Sequence, residues 1–210
     1  ALTSDQLSKL SSDQVALMAT DDIAAISSAQ ISHLSTGAIG ALTTAQAKAL
    51  TTAAINALTS AQIAAIETAD LAAMSSTQLS NMGNTQVAQL TSLQVAALTT
   101  GQLKSLSSGQ VAALTSAQLN ALTSAQLPSL SSSQVRALTT DQLSKLTTTQ
   151  IAGLSTAQVA ALRTGQVAAL TSVQLNAMAS DDLKALTTTQ VRALTSDQLS
   201  KLSSDQVALM

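Results

Sequence analysis

The chain has 210 residues, of which 46% are hydrophobic and 10% are charged, and its formal net charge is −2. It contains no Phe, Tyr, Trp or Cys and one His, which excludes disulfide frameworks, Cys-based metal sites and aromatic platforms that stack on bases or sugars. The weak charge argues against nucleic-acid binding, and the longest apolar runs are too short to span a bilayer.

From Thr3 onward the sequence is a tandem array of octapeptides without insertion or deletion. We label the eight phases a to h and number the octads from octad 1 (Thr3–Leu10) to octad 26 (Ser203–Met210). Phase h is Leu, Ile or Met in all 26 octads, phase e is Leu, Ile or Val in 25, and phase d is Gln in 21.

The spacing of the apolar residues predicts one short α-helix in each octad. Phases e and h share a helical face within one octad. Across octads, however, eight residues overshoot two α-helical turns by about 80°, so a continuous helix would bury no consistent face. The chain is therefore expected to break and restart once per octad.

Hydroxyl residues mark the predicted helix starts. Phases a and b are mostly Ser or Thr, which are preferred N-caps, and Ser/Thr at a with Gln at d has the spacing of a capping box. Both a and b remain candidates for the N-cap, although b is the stricter column. All eleven acids lie in phases a to d and eight of the nine bases lie at f or g, as a helix dipole favours.

Departures from the consensus repeat every sixteen residues. Phase d departs from Gln only at Asp22, Ala38, Ala54, Asp70 and Asp182, which all lie in odd-numbered octads. This pattern predicts an all-α solenoid of very short helices with two octads, or 16 residues, per coil. Phases e and h would fill the interior, and the small residues at f and g would allow close helix contacts. A β-solenoid with 16-residue coils is the alternative, which Ala, Gln and Leu disfavour.

The even-numbered octads keep Gln at phase d without exception. We expect these glutamines to line a more enclosed side of the solenoid, as a ladder of stacked amides or as a face packed against another chain. This predicted structural column consists of Gln14, Gln30, Gln46, Gln62, Gln78, Gln94, Gln110, Gln126, Gln142, Gln158, Gln174, Gln190 and Gln206.

No residue pattern indicates catalysis or a cofactor. His33 has no second ligand at helical spacing, so a solvated surface position is favoured. Asp21–Asp22 and Asp181–Asp182 do not match a calcium-binding loop, and they are better explained as acids in the first helical turn. The many serines have no His or Lys partner in a hydrolase motif. We therefore assign no catalytic, cofactor-binding or metal residue and expect no enzyme activity.

The two ends of the sequence match. Residues 1–18 are identical to residues 193–210. We expect residues 1–210 to be a single continuous repeat array, excerpted from a longer array with a super-repeat near 192 residues. Engineered duplication of the ends is the alternative.

The motif L-[ST]-[ST]-x-Q-φ-x-x-L, seen here as LTSAQLNAL and LSTAQVAAL, resembles tandem repeats of very long bacterial surface or secreted proteins. The resemblance covers the whole chain and implies an extended, non-enzymatic role outside the cell or at its surface. We therefore expect a structural filament, fibre or stalk that associates with itself. Nucleic acid, membrane insertion and a small-molecule substrate are not expected.

Two other functions remain open from the sequence. The first is a Ser/Thr-rich binding surface of the adhesin or ice-binding type, although Ser and Thr interchange freely in phases a and b. The second is a peptide-binding α-solenoid, whose concave face normally carries varied charged or aromatic residues that this sequence does not show.

Overall fold

A computed structural model describes residues 2–210, and within that range every octad forms one short helix and no strand occurs. The helical prediction is confirmed, and the β-solenoid alternative is wrong. A 3-10 helix spans Leu127–Ser129. The α-helices span Ser4–Ser8, Ser12–Ala16, Thr20–Ala24, Ser28–Ile31, Thr36–Gly40, Thr44–Ala49, Thr52–Asn56, Ser60–Ala65, Thr68–Ala73, Ser76–Ser80, Asn84–Gln89, Ser92–Ala97, Thr100–Ser105, Ser108–Ala113, Ser116–Asn120, Ser132–Ala137, Thr140–Ser144, Thr148–Ala152, Thr156–Ala160, Thr164–Ala169, Ser172–Asn176, Ser180–Lys184, Thr188–Arg192, Ser196–Lys201 and Ser204–Ala208.

Each helix begins after phase a and ends before or at phase g, as octad 8 illustrates. Thr59 is the N-cap in an extended conformation (φ −71°, ψ 160°), and its Oγ1 accepts a hydrogen bond from the backbone N–H of Gln62 at 3.3 Å. Ile66 at phase h is again extended (φ −61°, ψ 130°). Phase a is therefore the N-cap, and the extended residues at h and a redirect the chain between helices.

Charges follow the helix ends as predicted. Acids such as Asp5 and Asp141 lie in first turns, and bases such as Lys48 and Arg136 lie in last turns. Each group thus faces the favourable end of its helix dipole. In residues 2–210 two ion pairs form, Lys145–Asp141 at 2.8 Å and Lys184–Asp181 at 3.6 Å. Because all four side chains are exposed, each pair contributes about 0–1 kcal/mol.

The chain forms two compact units, one that ends at Leu106 and one that covers Ser107–Met210. Within the first unit, Thr44–Ala49 packs against Thr68–Ala73, three octads later. Within the second, Ser108–Ala113 packs against Ser132–Ala137, again three octads later. Hydrogen bonds in both units also join octads four apart, over 28 to 31 residues. Each unit is therefore a solenoid with between three and four octads per coil.

The predicted coil of two octads, or 16 residues, is wrong. A two-octad coil requires half a turn at every junction between helices, but the extended residues at h and a turn the chain by only a third to a quarter of a circle. Each octad consequently lies across two octads of the coil below it, one three positions earlier and one four positions earlier. The sixteen-residue pattern of departures has no explanation in this geometry.

The core contains phases d, e and h. In octad 8, for example, Gln62, Ile63 and Ile66 are buried, while phases a, b and c are exposed. Phase e is buried in every octad from Leu7 to Leu183, which confirms the predicted apolar interior. Small residues permit close approach at some contacts: a Cβ added at Gly40 would lie 3.1 Å from the carbonyl oxygen of Ala65 in the next coil.

Pro128 explains the one octad that is not α-helical. Its ring leaves no backbone N–H for the bond to residue 124, and octad 16 forms the 3-10 helix Leu127–Ser129 instead. Leu127 and Leu130 are nevertheless buried like the other e and h residues. The coil thus accepts a local change of helix type at no loss of core positions.

If the octad is the unit of packing, whole octads are removable but fragments are not. Deleting Ser155–Leu162 preserves the phase of every later residue, so we expect the same helical circular dichroism per residue and a similar urea midpoint. Deleting only Ala157–Ala160 moves later e and h residues off the core, with an expected loss of at least about 3 kcal/mol in the free energy of unfolding. Similar urea midpoints for the two deletions would contradict this.

Candidate functional site: the glutamine column

The glutamines at phase d form the most extensive set of polar side chains in the interior. Gln62 is 2% exposed and Gln166 is 1% exposed, although a buried amide must find partners for one oxygen and two N–H groups. The helix start supplies the first partner, and the preceding coil supplies the others.

The side-chain oxygen of each glutamine completes the capping box of its own helix. In octad 8, the backbone N–H of Thr59 donates to Gln62 Oε1 at 2.9 Å. Where phase a has no hydroxyl, this half of the box remains: the backbone N–H groups of Gly83 and Arg163 donate to Gln86 Oε1 (3.0 Å) and Gln166 Oε1 (2.8 Å). The predicted Ser/Thr–Gln capping box is therefore confirmed, and its glutamine half does not depend on the hydroxyl.

The side-chain nitrogen binds the coil below. Gln62 Nε2 donates to the carbonyl oxygens of Ile31 (2.9 Å) and Leu34 (2.8 Å), which are phases e and h of the octad four positions earlier. The carbonyls in the last turn of a helix have no full set of partners within that helix. The same pair of e and h contacts is made by Gln46, Gln78, Gln86, Gln94 and Gln102 in the first unit and by Gln150, Gln158, Gln166, Gln174, Gln190 and Gln198 in the second.

This double role explains why phase d is Gln and never Glu. Capping boxes accept either residue, because both provide the side-chain oxygen. Only Gln also provides the N–H donors that the carbonyls of the preceding coil need. The contact between coils was missed from the sequence, and the absence of Glu from phase d of all 26 octads was the signal that could have revealed it.

The predicted asymmetry between even and odd octads is wrong. Of the thirteen glutamines predicted to line an enclosed side, Gln14 is exposed, Gln30 and Gln206 are half-buried, and the rest are buried. Odd-octad glutamines are buried as well, including Gln102 and Gln150. Because a coil holds between three and four octads, even and odd octads both fall on every side. The Nε2 partners described above are backbone carbonyls, so no ladder of stacked amides forms among them.

Buried residues other than Gln occupy phase d at four positions. Ala38 and Ala54 fill it with methyl groups. Asp70 is 3% exposed, and its Oδ1 accepts a hydrogen bond from Thr44 Oγ1 at 2.9 Å. Its Oδ2 has no hydrogen-bond partner in the described part of the chain. Asp182 is 5% exposed. Burial raises the pKa of both aspartates above the ordinary value of 3.8.

Three hydroxyls at phase b also contact the next coil. Ser108 Oγ donates to the carbonyl oxygen of Ser133 at 3.4 Å, and Ser132 Oγ donates to that of Ala157 at 3.3 Å. Thr44 reaches Asp70 in the same direction. These contacts give phase b a role between coils, which the sequence interpretation as an alternative N-cap did not include.

The other acidic and histidine candidates lie at the surface. His33 and Asp21–Asp22 are exposed, and Asp181 pairs with Lys184 as described. Within residues 2–210, no three His, Asp or Glu side chains come together as a metal site would require. Over the same residues, no helix has the length and apolar character of a bilayer span.

The contact between coils is testable by exchanging an amide for a carboxylate of the same shape. In Gln62→Glu, a carboxylate would face the carbonyls of Ile31 and Leu34 with no donor. We expect a loss of about 3 kcal/mol in the free energy of unfolding at neutral pH, measured by urea denaturation, and partial recovery in acid as the carboxylate is protonated. The matched control is Gln14→Glu, since Gln14 is exposed and its Nε2 contacts no acceptor among residues 2–210. Equal losses in both variants would contradict the assigned role.

Comparison with known proteins identifies the repeat. The family model described as "ALTTAQ repeat" matches residues 15–52, 63–100, 96–124, 116–148, 143–172 and 175–210, which together cover most of the chain. No curated protein matches the chain. The prediction of a tandem repeat protein is confirmed, whereas the bacterial surface origin stays a prediction. The chain belongs to the ALTTAQ repeat family.

Proposed function

We propose that this array is an extracellular structural element that forms a filament, fibre or stalk by stacking and self-association. The observation that carries the proposal is the direction of the contacts between coils. Within each unit, buried glutamines such as Gln62 and Gln174 donate to the preceding coil, where they contact the e and h carbonyls of the octad four positions earlier. A solenoid built in this way has no length at which it is complete.

The same pattern of hydrogen bonds determines which donors and acceptors a coil exposes when it lacks a neighbouring coil. A coil without a predecessor presents unused amide donors, and in this chain Nε2 of Gln6 and Gln14 contacts no protein acceptor within residues 2–210. A coil without a successor would present e and h carbonyls that accept no glutamine amide. The two faces are complementary, so copies would join head to tail through the bonds that already join coils.

Apolar side chains accompany the polar groups at both faces. In the first unit, Leu2, Leu10 and Met18 line an open groove beside Gln6. In the second unit, Leu199 and Val207 are 41% and 49% exposed. The formal net charge of −2 produces little repulsion between copies. Burying these groups would add hydrophobic stabilisation to the hydrogen bonds of the junction.

A Ser/Thr-rich binding surface receives less support. The phase a hydroxyls, such as Thr59 Oγ1 and Thr171 Oγ1, accept backbone N–H bonds at helix starts and are therefore engaged within the fold. No catalytic step, cofactor, nucleic acid or small-molecule substrate forms part of the proposal.

Sedimentation velocity and negative-stain electron microscopy of the 210-residue chain test self-association. We expect species that grow with concentration and particles longer than a monomer. Gln6→Glu/Gln14→Glu would replace the donors at one face with carboxylates and should weaken association about tenfold or more. The control Gln89→Glu/Asn56→Asp adds the same charge at two exposed positions within the array. A monomer at all concentrations, or equal effects of the two double variants, would overturn head-to-tail stacking.

The location outside the cell needs a separate measurement. Immunogold labelling of intact source cells should decorate the surface or released fibres as strongly as labelling of permeabilised cells. Labelling that appears only after permeabilisation would contradict an extracellular role.

A further inference from the structure

Asp70 occupies the position of a bridging glutamine without the chemistry of one. Gln62, at the same phase, donates to the carbonyls of Ile31 and Leu34, and the residues equivalent to these two for Asp70 are Ile39 and Leu42, 31 and 28 residues earlier. The ionised side chain has no proton to donate to either carbonyl. Its Oδ1 is held by Thr44 Oγ1 at 2.9 Å, and its buried Oδ2 has no hydrogen-bond partner within residues 2–210.

Asp182 occupies the same phase in the second unit. It lies at phase d of octad 23 and is 5% exposed. The octad four positions earlier contributes the carbonyls of Ile151 and Leu154, for which phase d of octad 23 supplies a carboxyl group instead of an amide.

We propose that Asp70 and Asp182 are acid-sensitive joints between coils, in which the protonated side chain supplies the O–H donor that replaces the missing glutamine N–H. In the ionised form, a carboxylate oxygen and the carbonyls of the preceding coil are all acceptors. In the protonated form of Asp70, Oδ1 keeps Thr44 Oγ1 as its donor and the hydroxyl formed at Oδ2 donates to a carbonyl below. The array is accordingly held more tightly in acid than at neutral pH.

The residues packed around Asp70 favour its protonated form over an ion pair between its carboxylate and a cation. Thr68–Ala73, which carries Asp70, packs against Thr44–Ala49 and Ser92–Ala97. The charged residue on these two partners is Lys48, which is exposed and forms no ion pair in the described part of the chain. Glu67, on the same octad, is another acid that disfavours ionisation of Asp70.

Asp182 has similar neighbours. Its helix packs against Thr156–Ala160, which has no titratable residue. The adjacent Asp181 disfavours a second negative charge, and Lys184 pairs with Asp181 rather than with Asp182. Burial is the first cause of the raised pKa at both aspartates.

The sign of the pH dependence follows from these shifts. Because the pKa of each aspartate is higher in the folded chain than its ordinary value of 3.8, the folded state binds more protons than the unfolded state above that value. The stability that protonation provides is fully present below pH 3.8 and is lost as the pH rises through the folded-state pKa.

Native-state hydrogen exchange of the 210-residue chain tests the joints. At neutral pH, amides in octads 5 and 9 should exchange faster than those in octads 8 and 12, where the glutamine bridge is intact. Asp70→Asn, which has the shape of the protonated acid, and Asp70→Gln should each slow this exchange roughly tenfold at neutral pH and make it less dependent on pH. A carboxyl titration by NMR should place the pKa of Asp70 above 3.8. The matched control is Asp197→Asn, an exposed acid that should leave octads 5 and 9 unchanged.

Three results would overturn the proposal. The first is an Asp70 pKa at or below the ordinary value. The second is no slowing in either neutral variant. The third is slowing of wild-type exchange by added Na⁺ or Ca²⁺ at neutral pH, since that would identify a cation rather than a proton as the missing partner.

Discussion

The fold depends on one side chain that caps two helices at once. A helix of four to six residues cannot persist alone, because nucleation costs more than so few hydrogen bonds return. Here each bridging glutamine satisfies the backbone N–H at the start of its own helix and the carbonyls at the end of a helix in the coil below. Local helix formation and long-range stacking therefore share the same amide, and neither is complete without the other.

The apolar residues and the glutamines make different contributions to folding. Residues such as Ile63 and Ile66 supply hydrophobic burial, but Leu, Ile, Val and Met interchange at their positions and specify little. The glutamine contacts are directional and are lost if the octad phase slips by one residue. Buried, fully satisfied polar groups of this kind select one register among many similar apolar packings.

The local structure was largely predictable from the sequence, while the coil was not. The spacing of e and h, the Ser/Thr–Gln capping box and the placement of charges all concern contacts within one octad, and all three were confirmed. The size of the coil depends on two extended residues between helices and on the reach of Gln62 to Ile31 and Leu34, and neither is visible as a periodicity. The sixteen-residue pattern of departures was therefore mistaken for the coil.

Because a coil holds a fractional number of octads, the helices of one coil are staggered relative to those of the next. Each helix contacts two helices of the preceding coil, so within either unit the loops between helices do not line up from one coil to the next. A local change in one octad, such as the shorter 3-10 helix at Pro128, is therefore packed against two octads of the next coil rather than one. Stretching a unit along its solenoid axis would break many contacts between coils one after another, which favours gradual extension over a single abrupt rupture.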